Sequence, residues 1–201
     1  MYLVELFGTA VFAMTGVIAV SKRGLDVIGA LILGLVTAVG GGTVRDVLMR
    51  YPVFWFQDFS YVWVALIGGL VAFFLTAVIQ NVQRSLLYLD AVGAALFAIA
   101  AANKALLDPG FSPPVAVILG LMTGIGGGLL RDVLAGRPTL LVSKEIYATP
   151  IVIGCAAFVT LRQLMPDFQP AAAVGTTLII AVRALAIWFH LEMPGWLVKR
   201  D

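Results

Sequence analysis

The chain carries one short polar motif twice, each time inside a long apolar stretch. Three glycines are followed, after two residues, by Arg-Asp, in the copies Gly40, Gly41, Gly42, Arg45, Asp46 and Gly126, Gly127, Gly128, Arg131, Asp132. Glycine costs about 1 kcal/mol relative to alanine in a helix interior, so each triplet predicts a bend or break. At membrane depth, a break and adjacent charges are tolerated only beside protein or a water-filled cavity. The motif therefore predicts a pathway for a charged solute.

Composition indicates a multi-pass membrane protein. Of 201 residues, 61% are hydrophobic and 12% are charged, whereas a soluble domain carries about 25% charged residues. The net charge of +2 argues against a nucleic-acid partner. The connections between apolar stretches are short, which leaves no room for a separate soluble domain. We therefore expect one all-α integral membrane domain over residues 1–201.

Seven stretches approach the roughly 20 apolar residues that a membrane-spanning helix needs. They are Leu3–Val20, Val27–Leu48, Tyr61–Asn81, Leu86–Leu107, Pro113–Leu134, Ile146–Leu161 and Pro170–Phe189.

The distribution of basic residues predicts the orientation. One side of the membrane would hold Lys22, Arg23, Arg84, Arg137, Lys144, Lys199 and Arg200, and the other Arg50, Lys104 and Arg162. The excess on the first side places the N-terminus outside and the C-terminus in the cytoplasm.

The two motif copies belong to an internal repeat. Shifting the chain by 86 residues aligns Val27–Leu48 with Pro113–Leu134 at 13 identities in 22 positions, and a shift of 85 aligns the preceding spans. Repeat one would cover about residues 1–84, repeat two about 85–164, and a seventh helix about 170–190. Because each repeat holds three spans, the second must enter the membrane from the opposite side, as in the inverted repeats of transport proteins.

The doubled Gly-Gly-Gly-x-x-Arg-Asp motif in the second and fifth of seven spans resembles the TRIC family, the trimeric intracellular cation channels, in its bacterial branch. The resemblance implies a homotrimer in a prokaryotic inner membrane, with one ion pathway per protomer between the kinked second and fifth helices. It also implies conduction of monovalent cations, chiefly potassium, with sodium and membrane lipids as further partners. The bacterial branch also carries an older label as a glycine transporter family. A secondary transporter of a small solute such as glycine is therefore the alternative.

The resemblance extends to a Lys-Glu pair after the fifth span, Lys144 and Glu145. Together with Arg183 in the seventh span, this pair is a candidate for gating or lipid contact. Arg183 lies near the predicted cytoplasmic end of its span, where its side chain could extend to the interface.

Two interpretations of the motif residues stay open. The glycines could break the helix and line the pathway, with Thr37 and Thr123 offering hydroxyl oxygens beside them, or they could permit close helix packing. The arginines and aspartates could line the pore. They could also form structural ion pairs, for which repeat symmetry suggests the crossed combinations Arg45 with Asp132 and Arg131 with Asp46.

Other polar and small residues also occupy equivalent positions in the two repeats. Glu5 and Asp90 could complement helix dipoles or attract cations to a vestibule. Gly8, Ala10, Gly93 and Ala95 would allow close packing between protomers.

An enzyme is not expected, because no set of nucleophile, base and orienting residue can be identified. We expect no cofactor and no metal beyond potassium or sodium in transit.

Overall fold

The computed structural model describes residues 2–78, 81–143 and 145–192. These residues form helices, joined by short connections and one isolated bridge between Glu145 and Glu192. The helices are α1 (Tyr2–Val20), α2 (Val27–Leu48), α3 (Phe54–Gln57), α4 (Ser60–Leu75), α5 (Val82–Leu106), α6 (Pro113–Leu134), α7 (Ala148–Leu164) and α8 (Ala171–Trp188), with a 3-10 turn at Leu140–Val142.

Five helices, α1, α2, α5, α6 and α8, are long and apolar enough to cross a membrane. The bounds of α2 and α6 are those that the sequence predicted. Helices α4 and α7 are apolar but shorter, with 16 and 17 residues. The protein is therefore an all-helical, multi-pass membrane protein, and a count of seven spans remains a prediction for α4 and α7.

The long helices begin and end at residues that complete their backbone hydrogen bonds. Asp26 caps α2 by accepting a hydrogen bond from the amide of Gly29 at 2.8 Å. At the other end, the amide of Tyr51 donates to the carbonyl of Asp46, and Arg50 has a left-handed φ of 57°. This Schellman arrangement closes the end of the helix.

The end of α6 has the same geometry 86 residues later. The amide of Arg137 donates to the carbonyl of Asp132, and Gly136 has a φ of 54°. Both motif helices therefore stop in the same way, two residues after their Arg-Asp pair.

Helices α1 and α5 form the centre of the bundle. Helix α1 packs against α2, α4 and α5, and α5 packs against α1, α6, α7 and α8. Where α1 and α5 meet, the rings of Phe12 and Phe97 stack with centroids 5.4 Å apart. A side chain on Gly93 would lie 2.6 Å from the Phe12 ring, and one on Gly8 would lie 3.3 Å from the Phe97 ring. These glycines are buried within one chain, so their predicted place between protomers is wrong.

Candidate functional site

Both motif helices run through their glycine triplets without interruption. The predicted break in the backbone is therefore wrong. Because the backbone stays helical, the triplets do not release a run of carbonyl oxygens toward a pore. The glycines must have another physical reason.

That reason is the contact between α2 and α6. A Cβ atom on Gly41 would lie 2.5 Å from the carbonyl oxygen of Thr123 and 3.1 Å from the amide nitrogen of Gly127. A Cβ atom on Gly127 would meet the carbonyl oxygen of Thr37, and one on Gly126 would lie 3.1 Å from the Cα of Gly41. The two backbones touch here, and only glycine fits. Of the two open interpretations, close helix packing accounts for these glycines.

Three of the four outer glycines, Gly40, Gly42 and Gly128, face side chains instead. A Cβ atom on Gly40 would meet the end of the Leu130 side chain, and one on Gly42 would lie 2.6 Å from the Phe54 ring. A Cβ atom on Gly128 would lie 2.9 Å from a carboxylate oxygen of Asp90. Each triplet therefore combines backbone contact between α2 and α6 with room for side chains from neighbouring segments.

The two threonines lie at the same crossing and bond to their own helices. Thr37 donates its hydroxyl to the carbonyl of Leu33, and Thr123 donates to the carbonyl of Leu119, both at 2.7 Å. Both threonines are buried. Their hydroxyl protons are thus committed, and only oxygen lone pairs are left for another partner.

The first Arg-Asp pair forms a local ion cluster at the end of α2. Asp46 accepts hydrogen bonds from the Nε of Arg45 and the Nζ of Lys104, both at 2.8 Å. Its second carboxylate oxygen accepts the amide of Phe54 at 3.0 Å. Asp46 thereby joins the end of α2 to α5 and to the start of α3.

The second pair forms a buried cluster at the end of α6. Arg131 donates to both oxygens of Asp132, at 2.9 and 3.2 Å, and to Asp90 at 2.7 Å. Asp132 also accepts the amide of Leu140 at 3.2 Å. In both copies, the aspartate therefore holds its neighbouring arginine and the amide eight residues further on.

The predicted crossed pairs are consequently wrong. Thr37 lies against Gly127 and Gly41 against Thr123, so α2 and α6 run antiparallel at their crossing. Because the charged residues follow the triplet in each helix, the two clusters lie on opposite sides of that crossing.

The acids at equivalent positions of the repeats both have specific partners. Glu5 accepts a hydrogen bond from the hydroxyl of Tyr61 at 2.8 Å. Asp90 is fully buried in the Arg131 cluster, two turns into α5, so it does not complement the dipole at the start of that helix. Tyr147 is equivalent to Tyr61. Its hydroxyl and a carboxylate oxygen of Asp90 both lie beside Gly128. The shared 86-residue spacing of the two tyrosines was visible in the sequence, but their role was not.

Arg183 is buried in the bundle, with 1% of its surface exposed, so the predicted extension to the interface is wrong. Its Nη1 donates to the carbonyl of Ile146 at 2.7 Å and lies 4.0 Å from Glu145. The guanidinium carbon lies 4.9 Å from the centre of the Tyr147 ring. Arg183 thus fastens α8 to the segment before α7. Lys144 lies outside the described residues.

An open cleft of about 370 Å³ lies beside the first ion cluster. It is lined by Tyr51, Pro52, Gln57, Lys104, Leu107 and Asp108. The Lys104 ammonium lies 5.1 Å from the centre of the Tyr51 ring, whose hydroxyl donates to Asp108 at 2.5 Å. Sequence reasoning missed Lys104 and Tyr51 as site residues, since the equivalent positions of the other repeat hold Ala19 and Arg137.

The hydrogen bond from Tyr51 holds the pKa of Asp108 below its usual value, with help from the amide of Gly110. A lowered pKa means that the interaction is present at neutral pH and is lost as the pH falls through that pKa. We expect Tyr51→Phe to raise the Asp108 pKa toward the ordinary value of about 3.9. Carboxyl-carbon NMR titration of the labelled protein in micelles measures this shift.

Asp58 provides the internal control for that titration. Its pKa is also lowered, by a hydrogen bond from Tyr2. The Tyr51→Phe change should leave the Asp58 titration unaltered, and an unaltered Asp108 titration would contradict the assigned cause.

Among the described residues, no group of three or more His, Cys, Asp or Glu side chains is placed to hold a metal ion. The polar chemistry of this part of the chain is that of guanidinium, ammonium and carboxylate groups inside a helix bundle. Buried ion pairs within membrane helices are typical of proteins that move or sense charged solutes. Fold and site together define a multi-pass membrane protein of the channel and transporter class.

Comparison with known proteins identifies the family. The family model described as glycine transporter matches residues 2–77 and 87–163. The UPF0126 inner membrane protein YadS of Escherichia coli strain K12 is 38% identical over 203 residues, covering 100% of this chain and 98% of the relative.

Solved structures agree in fold. The TRIC trimeric intracellular cation channel orthologue from Rhodobacter sphaeroides superposes with a TM-score of 0.90 at 39% identity, covering 94% of this chain and 98% of that one. A second solved TRIC cation channel gives a TM-score of 0.84 at 30% identity, covering 100% and 99%. The chain belongs to the TRIC family, in the bacterial group named UPF0126.

Proposed function

We propose that this protein is a potassium-permeable channel for monovalent cations, with sodium as a second permeant ion. The observation that supports this most strongly is the likeness to the Rhodobacter sphaeroides TRIC orthologue over almost the whole of both chains. The buried arginine–aspartate clusters at the ends of α2 and α6 agree with it. Charged side chains inside a membrane protein are costly to bury, and they typically mark the path of a charged solute.

The proposed pathway runs between α2 and α6 within each protomer. Its candidate residues are Thr37, Gly40, Gly41, Gly42, Arg45, Asp46, Thr123, Gly126, Gly127, Gly128, Arg131 and Asp132. The cleft beside Lys104 and a second cleft of about 240 Å³ beside Arg23 and Arg137 would be its two mouths. Backbone contact between Gly41 and Gly127 closes the centre, so conduction requires α2 and α6 to separate there. The low cost of bending a helix at glycine supports such a movement.

The membrane arrangement that we propose has seven spans in two inverted three-helix repeats, with a seventh helix outside them. Matching hydrogen bonds 86 residues apart, from Phe54 to Asp46 and from Leu140 to Asp132, support the repeat. The distribution of basic residues supports an external N-terminus and a cytoplasmic C-terminus in a prokaryotic inner membrane. Three protomers would assemble, as in the trimeric channels that the chain resembles, with lipids around them.

Arg183 and Glu145 would act in gating through the segment before α7, where the structure brings them within 4.0 Å of each other. Lys144 is proposed for the same region, or for contact with lipid, from its family resemblance.

A secondary transporter of glycine is the second candidate. The observation that favours it is the family model described as glycine transporter, which matches most of the chain. A carrier turns over by conformational steps of microseconds or slower, so it passes far fewer solutes per second than an open pore.

The two candidates differ in what purified protein does in a lipid bilayer. We expect discrete current steps in symmetrical potassium chloride, which persist in sodium chloride and vanish when a large organic cation replaces both. Proteoliposomes from the same preparation should not accumulate labelled glycine above protein-free vesicles. Saturable glycine uptake without current steps would overturn the channel in favour of the carrier.

A further inference from the structure

The Lys104 ammonium lies where a permeating cation would bind. It contacts a carboxylate oxygen of Asp46 at 2.8 Å and faces the ring of Tyr51 at 5.1 Å. Carboxylate oxygens and aromatic faces both attract cations. Its side chain is 34% exposed, whereas Asp46 is fully buried. The ammonium thus stands between the open cleft and the buried carboxylate.

The two ion clusters differ in charge because of this lysine. Asp46 is paired with two cations, Arg45 and Lys104. In the second cluster, one cation, Arg131, is paired with two carboxylates. The net charge of the directly paired side chains is therefore +1 at the C-terminal end of α2 and −1 at the C-terminal end of α6. The 85-residue shift that aligns α1 with α5 places Ala19 opposite Lys104, so the lysine has no counterpart.

We propose that Lys104 makes the pathway discriminate between monovalent and divalent cations. This inference rests on the proposed channel function and names a residue that sets its selectivity. A fixed positive charge repels a divalent ion twice as strongly as a monovalent one. At about 5 Å in water, a unit charge disfavours a monovalent cation about fourfold and a divalent cation about sixteenfold. The lysine therefore lowers the divalent-to-monovalent permeability ratio about fourfold.

The test measures the barium-to-potassium permeability ratio from reversal potentials in planar bilayers at low ionic strength, where screening is weak. We expect Lys104→Gln to raise the ratio about fourfold and Lys104→Arg to keep the wild-type value. Arg162→Gln is the matched control, since it removes one positive charge outside the cleft and should leave the ratio unchanged. A wild-type ratio in Lys104→Gln overturns the inference while leaving the channel function intact. Absence of any cation current in the wild type overturns the channel function, and the inference with it.

A second variant separates charge from folding. Lys104→Cys can be modified in the assembled protein, because position 104 borders the open cleft and the single native cysteine, Cys155, is buried. A trimethylammonium-ethyl thiol reagent should lower the barium-to-potassium ratio of Lys104→Cys, and a sulfonate-ethyl reagent of similar size should raise it. Equal effects of the two reagents would show that charge at position 104 does not set selectivity.

Discussion

Gly41→Ala should lower the thermal stability of the protein, although alanine is the better helix former. The added Cβ atom would lie 2.5 Å from the carbonyl oxygen of Thr123, and a backbone atom cannot rotate away. Overpacking of this kind costs about 1–3 kcal/mol, against a gain of about 1 kcal/mol from helix propensity. Thermal unfolding in detergent, followed as loss of the monodisperse peak in size-exclusion chromatography, measures the change. Gly127→Ala should act in the same direction, because its Cβ atom meets the carbonyl of Thr37.

The matched control is the neighbouring glycine of the same triplet. In Gly40→Ala, the new Cβ atom meets only the end of the Leu130 side chain, which can change rotamer. The helix gain then dominates, and stability should stay the same or rise. Equal losses in Gly40→Ala and Gly41→Ala would show that the backbone contact is not what requires glycine.

Arg131→Ala should be the most damaging of the charge substitutions. The guanidinium is fully buried and pairs with two carboxylates, Asp90 and Asp132, of which at most 3% of the side chain is exposed. Removing it leaves both acids without a counter-charge, and an uncompensated buried charge costs about 3–5 kcal/mol. Expression level and thermal stability in detergent should both fall sharply.

Arg45→Ala tests the difference in pairing between the two ion clusters. Asp46 keeps Lys104 when Arg45 is removed, so the loss of stability should be smaller than for Arg131→Ala. Asp90→Asn added to Arg131→Ala should recover part of the loss, because it removes one of the orphaned charges. Exchanging Arg45 and Asp132 should recover none of the lost stability, since these residues are not partners. A rescue by that exchange, or equal losses at Arg45 and Arg131, would contradict the described pairing.

The helices were largely predictable from the sequence, because apolar length determines most of them. The bounds of α2 and α6 agree with the prediction, where Asp26 and Pro113 start the helices. The fourth helix ends at Leu75, well before the predicted Asn81. Apolar residues continue past that point in the sequence. In the structure, however, the hydroxyl of Thr76 donates to the carbonyl of Phe73 where the helix ends.

The sequence identified the arginines and aspartates of the two ion clusters, but neither their contacts nor the participation of Lys104 could be predicted from it. The symmetry of the repeats suggested crossed pairs. The observed pairing of Arg45 with Asp46 joins adjacent residues of one helix, which do not ordinarily face each other. The observed pairing needs Asp46 to turn toward the amide of Phe54, a contact that depends on how the connection folds. Lys104 joins the cluster from a different helix, and spacing along the chain does not encode such a contact.

The central stacking of Phe12 on Phe97 is reciprocal, since Gly93 makes room for the first ring and Gly8 for the second. A contact in which each side presents the same surface is isologous, the kind that joins the two subunits of a twofold-symmetric dimer. The interior of this chain is thus built like a subunit interface. In a dimer of identical halves, any residue placed at one end must also occupy the other. Covalent linkage removes that restriction, so a lysine at position 104 can coexist with an alanine at the aligned position 19, and the two ends of the bundle can differ in charge.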